Sequence, residues 1–102
     1  MAALSPQLAL AYLGELSTDI RAATVLDHAG ECVAGEAALA REARELLSGG
    51  EPLAEASSRR GRVFAARGQT HSVAVLTGRF ALPALVRHDL GKVLEDLAPP
   101  AA

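Results

Sequence analysis

Ile20–Gly35, IRAATVLDHAGECVAG, is the stretch whose reading decides the fold. Arg21–Asp27 is extended in character, with Thr24, Val25 and Leu26 in succession. Asp27-His28-Ala29-Gly30 then supplies turn chemistry. An aspartate can bond its own backbone two residues on, and a glycine can take the positive φ that closes a short hairpin. Glu31–Ala34 returns as a second, shorter strand, and Gly35 breaks the pattern. With helical patterns on both sides, this hairpin opens a small α+β domain.

Upstream, Ser5-Pro6 is a helix start: serine can cap, and proline is pre-set at the first helical position. Leu8, Tyr12 and Leu16 fall on one line with Leu10 and Leu13 beside them, Gly14 weakens the helix, and Ser17-Thr18-Asp19 ends it. Downstream, Glu36–Leu47 is the clearest helix. It has Leu39, Ala40, Ala43, Leu46 and Leu47 on one side and Arg41, Glu42, Arg44 and Glu45 on the other. Glu36 suits the first turn electrostatically, and Ser48-Gly49-Gly50 ends the run.

Glu51–Arg60, EPLAEASSRR, shows no persistent period and reads as the longest loop, with a short helical turn around Leu53–Ala56. Three strands are predicted next. Arg62–Arg67 alternates Val63 and Ala65 against Phe64 and Ala66; His71–Thr77 follows, and Phe80–Leu85 is the third, with Gly78-Arg79 as the hairpin turn before it. Pro83 is awkward inside a strand, because proline cannot donate to a ladder. Leu90, Val93, Leu94 and Leu97 mark a final helix, with Asp89 in its first turn and Gly91 permitting close packing on the sheet. The order is α-β-β-α-β-β-β-α, and short links imply a mainly antiparallel sheet with helices on its faces. The expected organisation is one domain over residues 1–98 with a flexible tail at 99–102.

Composition narrows the function classes. The chain has 102 residues, half of them apolar, but only two Phe, one Tyr and no Trp. Its core must therefore be built from Ala, Leu and Val, and at ~25 cal/mol per Å² an Ala-rich core leaves a thin margin over chain entropy. Such a chain gains from burying further surface against a partner, which favours a dimer. A net charge of −2 gives no electrostatic reason to expect nucleic acid or an anionic membrane. The N-terminal stretch lacks the basic start of a secretion signal, and no apolar run approaches the ~18 residues of a membrane span. The expectation is a cytoplasmic protein without membrane insertion.

No local motif carries chemistry. Cys32 is the single cysteine, outside any C-x-x-C, and reads as a partly buried, inert thiol. His28, His71 and His88 lie on different elements with no metal-ligand spacing, so no metal is expected. Ser72 has no nucleophile-elbow context. Gly49, Gly50, Gly61, Gly68, Gly78 and Gly91 fit no phosphate-binding pattern, so neither a nucleotide nor any other cofactor is expected. Arg59, Arg60, Arg62 and Arg67 are the one concentration of charge. They read either as a solvated loop and strand edge or as a surface for an acidic or nucleotide-bound partner. The Arg41/Arg44 face of the middle helix reads as a solubilising surface or a recognition surface.

The pieces AATVLDHAGECVAG, the helix that follows at once, and the block RVFAARG, HSVAVLTG, FALPALV leading into HDLGKVLEDL resemble the Roadblock / dynein light chain superfamily from about Leu8 to Leu97. The resemblance implies a five-stranded antiparallel sheet, with the first and last helices on one face and the middle helix on the other. It also implies a homodimer formed by the middle helices and the strand after them. Carried onto this chain, that interface would use Leu39, Ala43, Leu46 and Leu47 with Val63, Phe64 and Ala65. Family members bind small Ras-like GTPases as regulators or scaffolds. That implies a non-enzymatic, protein-binding role here, with Arg41, Arg44, Arg59, Arg60 and Arg62 as the partner surface. The alternatives are an assembly subunit with no GTPase role and a small-ligand sensory domain of profilin-like layout.

Overall fold

Asp27 closes the opening hairpin. In the computed structural model, which describes residues 4–16 and 19–97, its Oδ1 accepts the backbone N–H groups of Ala29 and Glu31, both at 2.9 Å. Gly30 takes φ +85°. These bonds, the one from Glu31 foremost, hold the Asp27 carboxyl below its ordinary range. The hairpin joins β1 (Ile20–Asp27) to β2 (Cys32–Gly35), with a bulge between Val25 and Leu26.

The other elements are α1 (Pro6–Leu16), α2 (Ala37–Leu47), β3 (Leu53–Ser58), β4 (Gly61–Arg67), β5 (His71–Thr77) and α3 (Pro83–Asp96). The five strands form one antiparallel sheet in the order β2-β1-β5-β4-β3. Period-2 alternation divides the apolar residues between its two faces. Val25, Phe64, Ala66, Val73 and Val75 pack with Ala9 and Leu13 of α1 and with Val86, Leu90 and Val93 of α3. Leu26, Val63, Ala65, Ala74 and Leu76 pack with Leu39, Ala40, Ala43 and Leu47 of α2. The architecture is thus the expected one, two helices on one face and one on the other.

Two boundaries differ from the sequence reading. The expected loop at Glu51–Arg60 contains β3, paired with β4 from Leu53↔Ala66 to Ser58↔Gly61. LAEASS has weak strand propensity, and its pairing comes from the neighbouring strand, a tertiary effect that overrides local preference. The expected strand at Phe80–Leu85 is instead the connector into α3, and Gly78-Arg79 is no hairpin turn. Pro83 occupies the first turn of α3, where the absent N–H costs nothing. The two misassignments compensate, so the element order is unchanged.

In α1, the buried residues among those whose side chains are described are Ala9 and Leu13, while Leu8 and Tyr12 of the expected apolar line are exposed. The helix is apolar around most of its circumference, so its pattern could not select the buried stripe. Ser5 does cap it, accepting the Leu8 N–H at 3.2 Å. The expected stop at Ser17-Thr18 and the tail at 99–102 lie outside the described residues.

The glycines separate by surroundings. At Gly35, φ is +93° and an added Cβ would collide with Ala23 O. At Gly91 an added Cβ would meet nothing within 4 Å, so that glycine does not serve close packing on the sheet. Gly91→Ala should therefore stabilise the chain by about 0.5–1 kcal/mol through helix propensity alone. Gly35→Ala should cost more than that, because both the backbone conformation and the Ala23 contact oppose it. Urea denaturation of the two variants beside the parent checks both signs.

Candidate functional site

The exposed edge of β3 is the largest unfinished element of the sheet. Arg67 N–H donates to Pro52 O at 2.8 Å, which sets the phase of the ladder. Because narrow and wide pairs alternate in an antiparallel ladder, Ala54, Ala56 and Ser58 direct their backbone groups to β4. Leu53, Glu55 and Ser57 then direct theirs outward, and no other described strand pairs with them. A row of outward N–H and C=O groups is a template for a further strand. Leu53 is also exposed there, at 42%.

The seven residues expected at a dimer interface do not all lie on that edge. Val63, Phe64 and Ala65 sit on β4, which is paired on both sides and cannot accept another strand. Their side chains, and those of Leu39, Ala43 and Leu47, are buried within one chain. Of the set, only Leu46 is half-exposed. The strand following the middle helix is β3, whose weak sequence pattern hid it.

The arginines divide between the two ends of the strands. Arg59, Arg60 and Arg62 gather with Arg21 and Arg79 around a shallow cleft of about 290 Å³. The last two were missed because Arg21 is 38 residues from Arg59, and only the sheet brings them together. Arg60 reaches Glu36 at 2.7 Å and Glu42 at 3.8 Å on the α2 side. Arg62 and Arg87 clasp Glu55, at 2.7 and 2.6 Å, and the Arg62 guanidinium lies 5.3 Å from the centre of the Phe64 ring. Arg41 is exposed on α2. Arg44 donates to Gly30 O at 2.8 Å, and Arg67 caps the end of α2 by donating to Leu47 O at 2.5 Å.

Nothing described has the geometry of a catalytic constellation. Cys32 is half-buried, its Sγ 3.4 Å from both Thr24 Oγ1 and Ala34 O. His88 is exposed on α3, whereas the pairing of Asp27 with His71 brings His28 and His71 to one cleft. Among the described residues no group of three His, Cys, Asp or Glu side chains could hold a metal, and no helix is long and apolar enough to cross a membrane.

A five-stranded antiparallel sheet with helices arranged two against one defines a known class of small α+β domain. Compared by sequence, the chain matches no family model and no curated protein. Compared by structure, it is similar to a Roadblock/LC7 domain from Streptomyces avermitilis at 20% identity and TM-score 0.69, covering 87% of this chain and 94% of that one. A second structure of a Roadblock/LC7 domain from that organism gives 16% identity and TM-score 0.76, with 90% and 93% covered. Myxococcus xanthus MglB gives 12% identity and TM-score 0.63, with 86% and 89% covered. The chain has the Roadblock/LC7 fold.

Glu55 ties β3 to the body of the domain. The Arg87 hydrogen bond, helped by the charge of Arg87 and by the hydrogen bond and charge of Arg62, outweighs desolvation and holds its carboxyl below the usual 4.5. A folded-state value below the unfolded one stabilises above about pH 4.5, and this is lost as pH falls through the lowered value. Because the pairs are exposed, Glu55→Gln should cost only about 0.5–1 kcal/mol near neutral pH. The difference between variant and parent in urea melts should shrink toward zero in acid; a constant difference would contradict this ion-pair role.

Proposed function

We propose that this chain is a non-catalytic homodimer that regulates or scaffolds a small Ras-like GTPase. The observation that carries the reading is the unpaired β3 edge on a sheet of Roadblock/LC7 fold. Two copies paired antiparallel through β3 would satisfy the outward groups of Leu53, Glu55 and Ser57. They would also cover Leu53 and the exposed part of Leu46. The thin, Ala-rich core favours such extra burial, since stability in a small domain is limited by the apolar surface it can hide. A continuous sheet across two copies would present both α2 faces, with Arg41, and both Arg59/Arg60/Arg62 clusters, as a broad surface for a protein partner. Each role is then one of position: the arginines hold a partner, and no residue of this chain reacts.

Ser57→Pro tests the pairing. Its N–H points away from β4, so proline leaves the internal ladder intact and removes an outward donor. Light scattering should give twice the chain mass for the parent and one chain mass for Ser57→Pro. A one-chain parent would refute the dimer, and an unchanged Ser57→Pro mass would place the interface elsewhere. Leu46→Glu should also weaken the dimer, by burying a charge beside α2.

The GTPase reading is tested by capture on the purified protein from its own cell's lysate, with GDP and with a non-hydrolysable GTP analogue. A small GTPase should be retained preferentially with the analogue, and its hydrolysis rate should then change on adding the protein. Retention independent of nucleotide, with no rate change, favours the scaffold. If no GTPase is retained in either state, the proposal fails.

A further inference from the structure

At the end of the strands opposite the Arg59 cluster, the β1–β2 turn, the last turns of α2 and the β4–β5 turn enclose a cleft of about 530 Å³. Its chemistry-bearing lining is Asp27, His28, Arg44, Arg67, His71 and Ser72. We infer that this cleft is a binding site for a small phosphate monoester, held between Arg44 and Arg67. This inference does not depend on the proposed dimer or on a GTPase partner.

Three observations support it. First, both arginines are pre-positioned by neutral groups. Arg44 spends one terminal nitrogen on Gly30 O and Arg67 one on Leu47 O. None of the ion pairs among the described residues involves either of them. A guanidinium has five N–H donors, so each keeps donors and its whole charge for a ligand. Second, the site is built around Arg44. At Gly30 an added Cβ would come within 3.2 Å of Arg44 Cδ, so the bare turn lets the arginine stem lie against it. Ordering that side chain before the ligand arrives lowers the entropic cost of binding.

Third, the donors come from separate elements. His28 lies on the turn, Arg44 on α2, Arg67 on β4 and Ser72 on β5. His71 is nearly buried, with Nδ1 2.9 Å from Thr70 Oγ1. Donors converging from several sides suit a tetrahedral anion with three terminal oxygens better than a planar carboxylate. Asp27 is the one acidic group of the lining, and its Oδ1 already accepts two backbone N–H bonds. The cleft volume falls in the range of small-molecule sites.

The test uses the full chain, ¹⁵N-labelled, titrated near neutral pH with phenyl phosphate against sodium chloride of matched ionic strength. Saturable shifts are expected at the Gly30, Gly68 and Gln69 amides. Arg44→Gln should weaken binding by at least about tenfold, the scale of one charge-assisted contact. Arg59→Gln, at the far end, should leave it unchanged. His28→Ala, on an exposed turn, is the second lining variant and should also weaken binding should Arg44→Gln lose its dispersed spectrum. Shifts no larger than those from chloride would overturn the site, as would undiminished binding by a folded Arg44→Gln. Equal affinity for acetate would overturn the phosphate assignment. Markedly tighter binding of a phosphoserine peptide than of the free ester would overturn the small-molecule source and assign the site to a modified protein.

Discussion

The structure depends on β5. His71–Thr77 is bonded to β1 on one side and β4 on the other, and both faces of the strand are almost wholly covered. Every other element takes its place from that strand. β1 brings the hairpin and α1, β4 brings β3, and the alternation of Val73 and Val75 against Ala74 and Leu76 sends one apolar set to each helical layer. Thr77, fully buried, can sit there because its Oγ1 donates to Gly78 O at 3.1 Å. A polar group without that bond would cost more than the strand end could return.

From this central strand the two ends of the molecule acquire different electrostatics. Where β1 and β4 begin, Arg21, Arg60 and Arg62 converge, and much of their charge is met by Glu36, Glu42 and Glu55. Where those strands end, Arg44 and Arg67 are held by carbonyl oxygens. Carbonyls fix a guanidinium without neutralising it, which leaves that end the more receptive to an anion. The total of −2 conceals this division, because net charge says nothing of where the charges lie.

The edges tell a similar story. β2 is short and lies beside α1, while β3 runs six residues with one side open. Ala, Glu and Ser dominate β3, so its open backbone edge is flanked mainly by small and charged side chains. An edge of that kind is suited to association that a hydrophobic strand would make indiscriminate.

Several elements were legible because their causes are local. Asp27 and Gly30 close a turn through bonds to immediate neighbours, α2 shows one apolar stripe, and β4 and β5 are strands by residue type and alternation. Pro83 was misread because proline carries two meanings, strand interruption and helix start, and only the packing of Val86 and Leu90 on the sheet selects the second. β3 was missed because LAEASS has no period of its own. It is a strand only because β4 offers it a ladder. The cleft could not be foreseen at all, since His28 and His71 become neighbours only through the β1–β5 register. The sequence by itself determined the opening hairpin, α2, β4 and β5, because propensity and periodicity act over a few residues. Tertiary structure alone decided the strand order, the open edge and the grouping of arginines, because each depends on hydrogen bonds and charges between residues far apart in the chain.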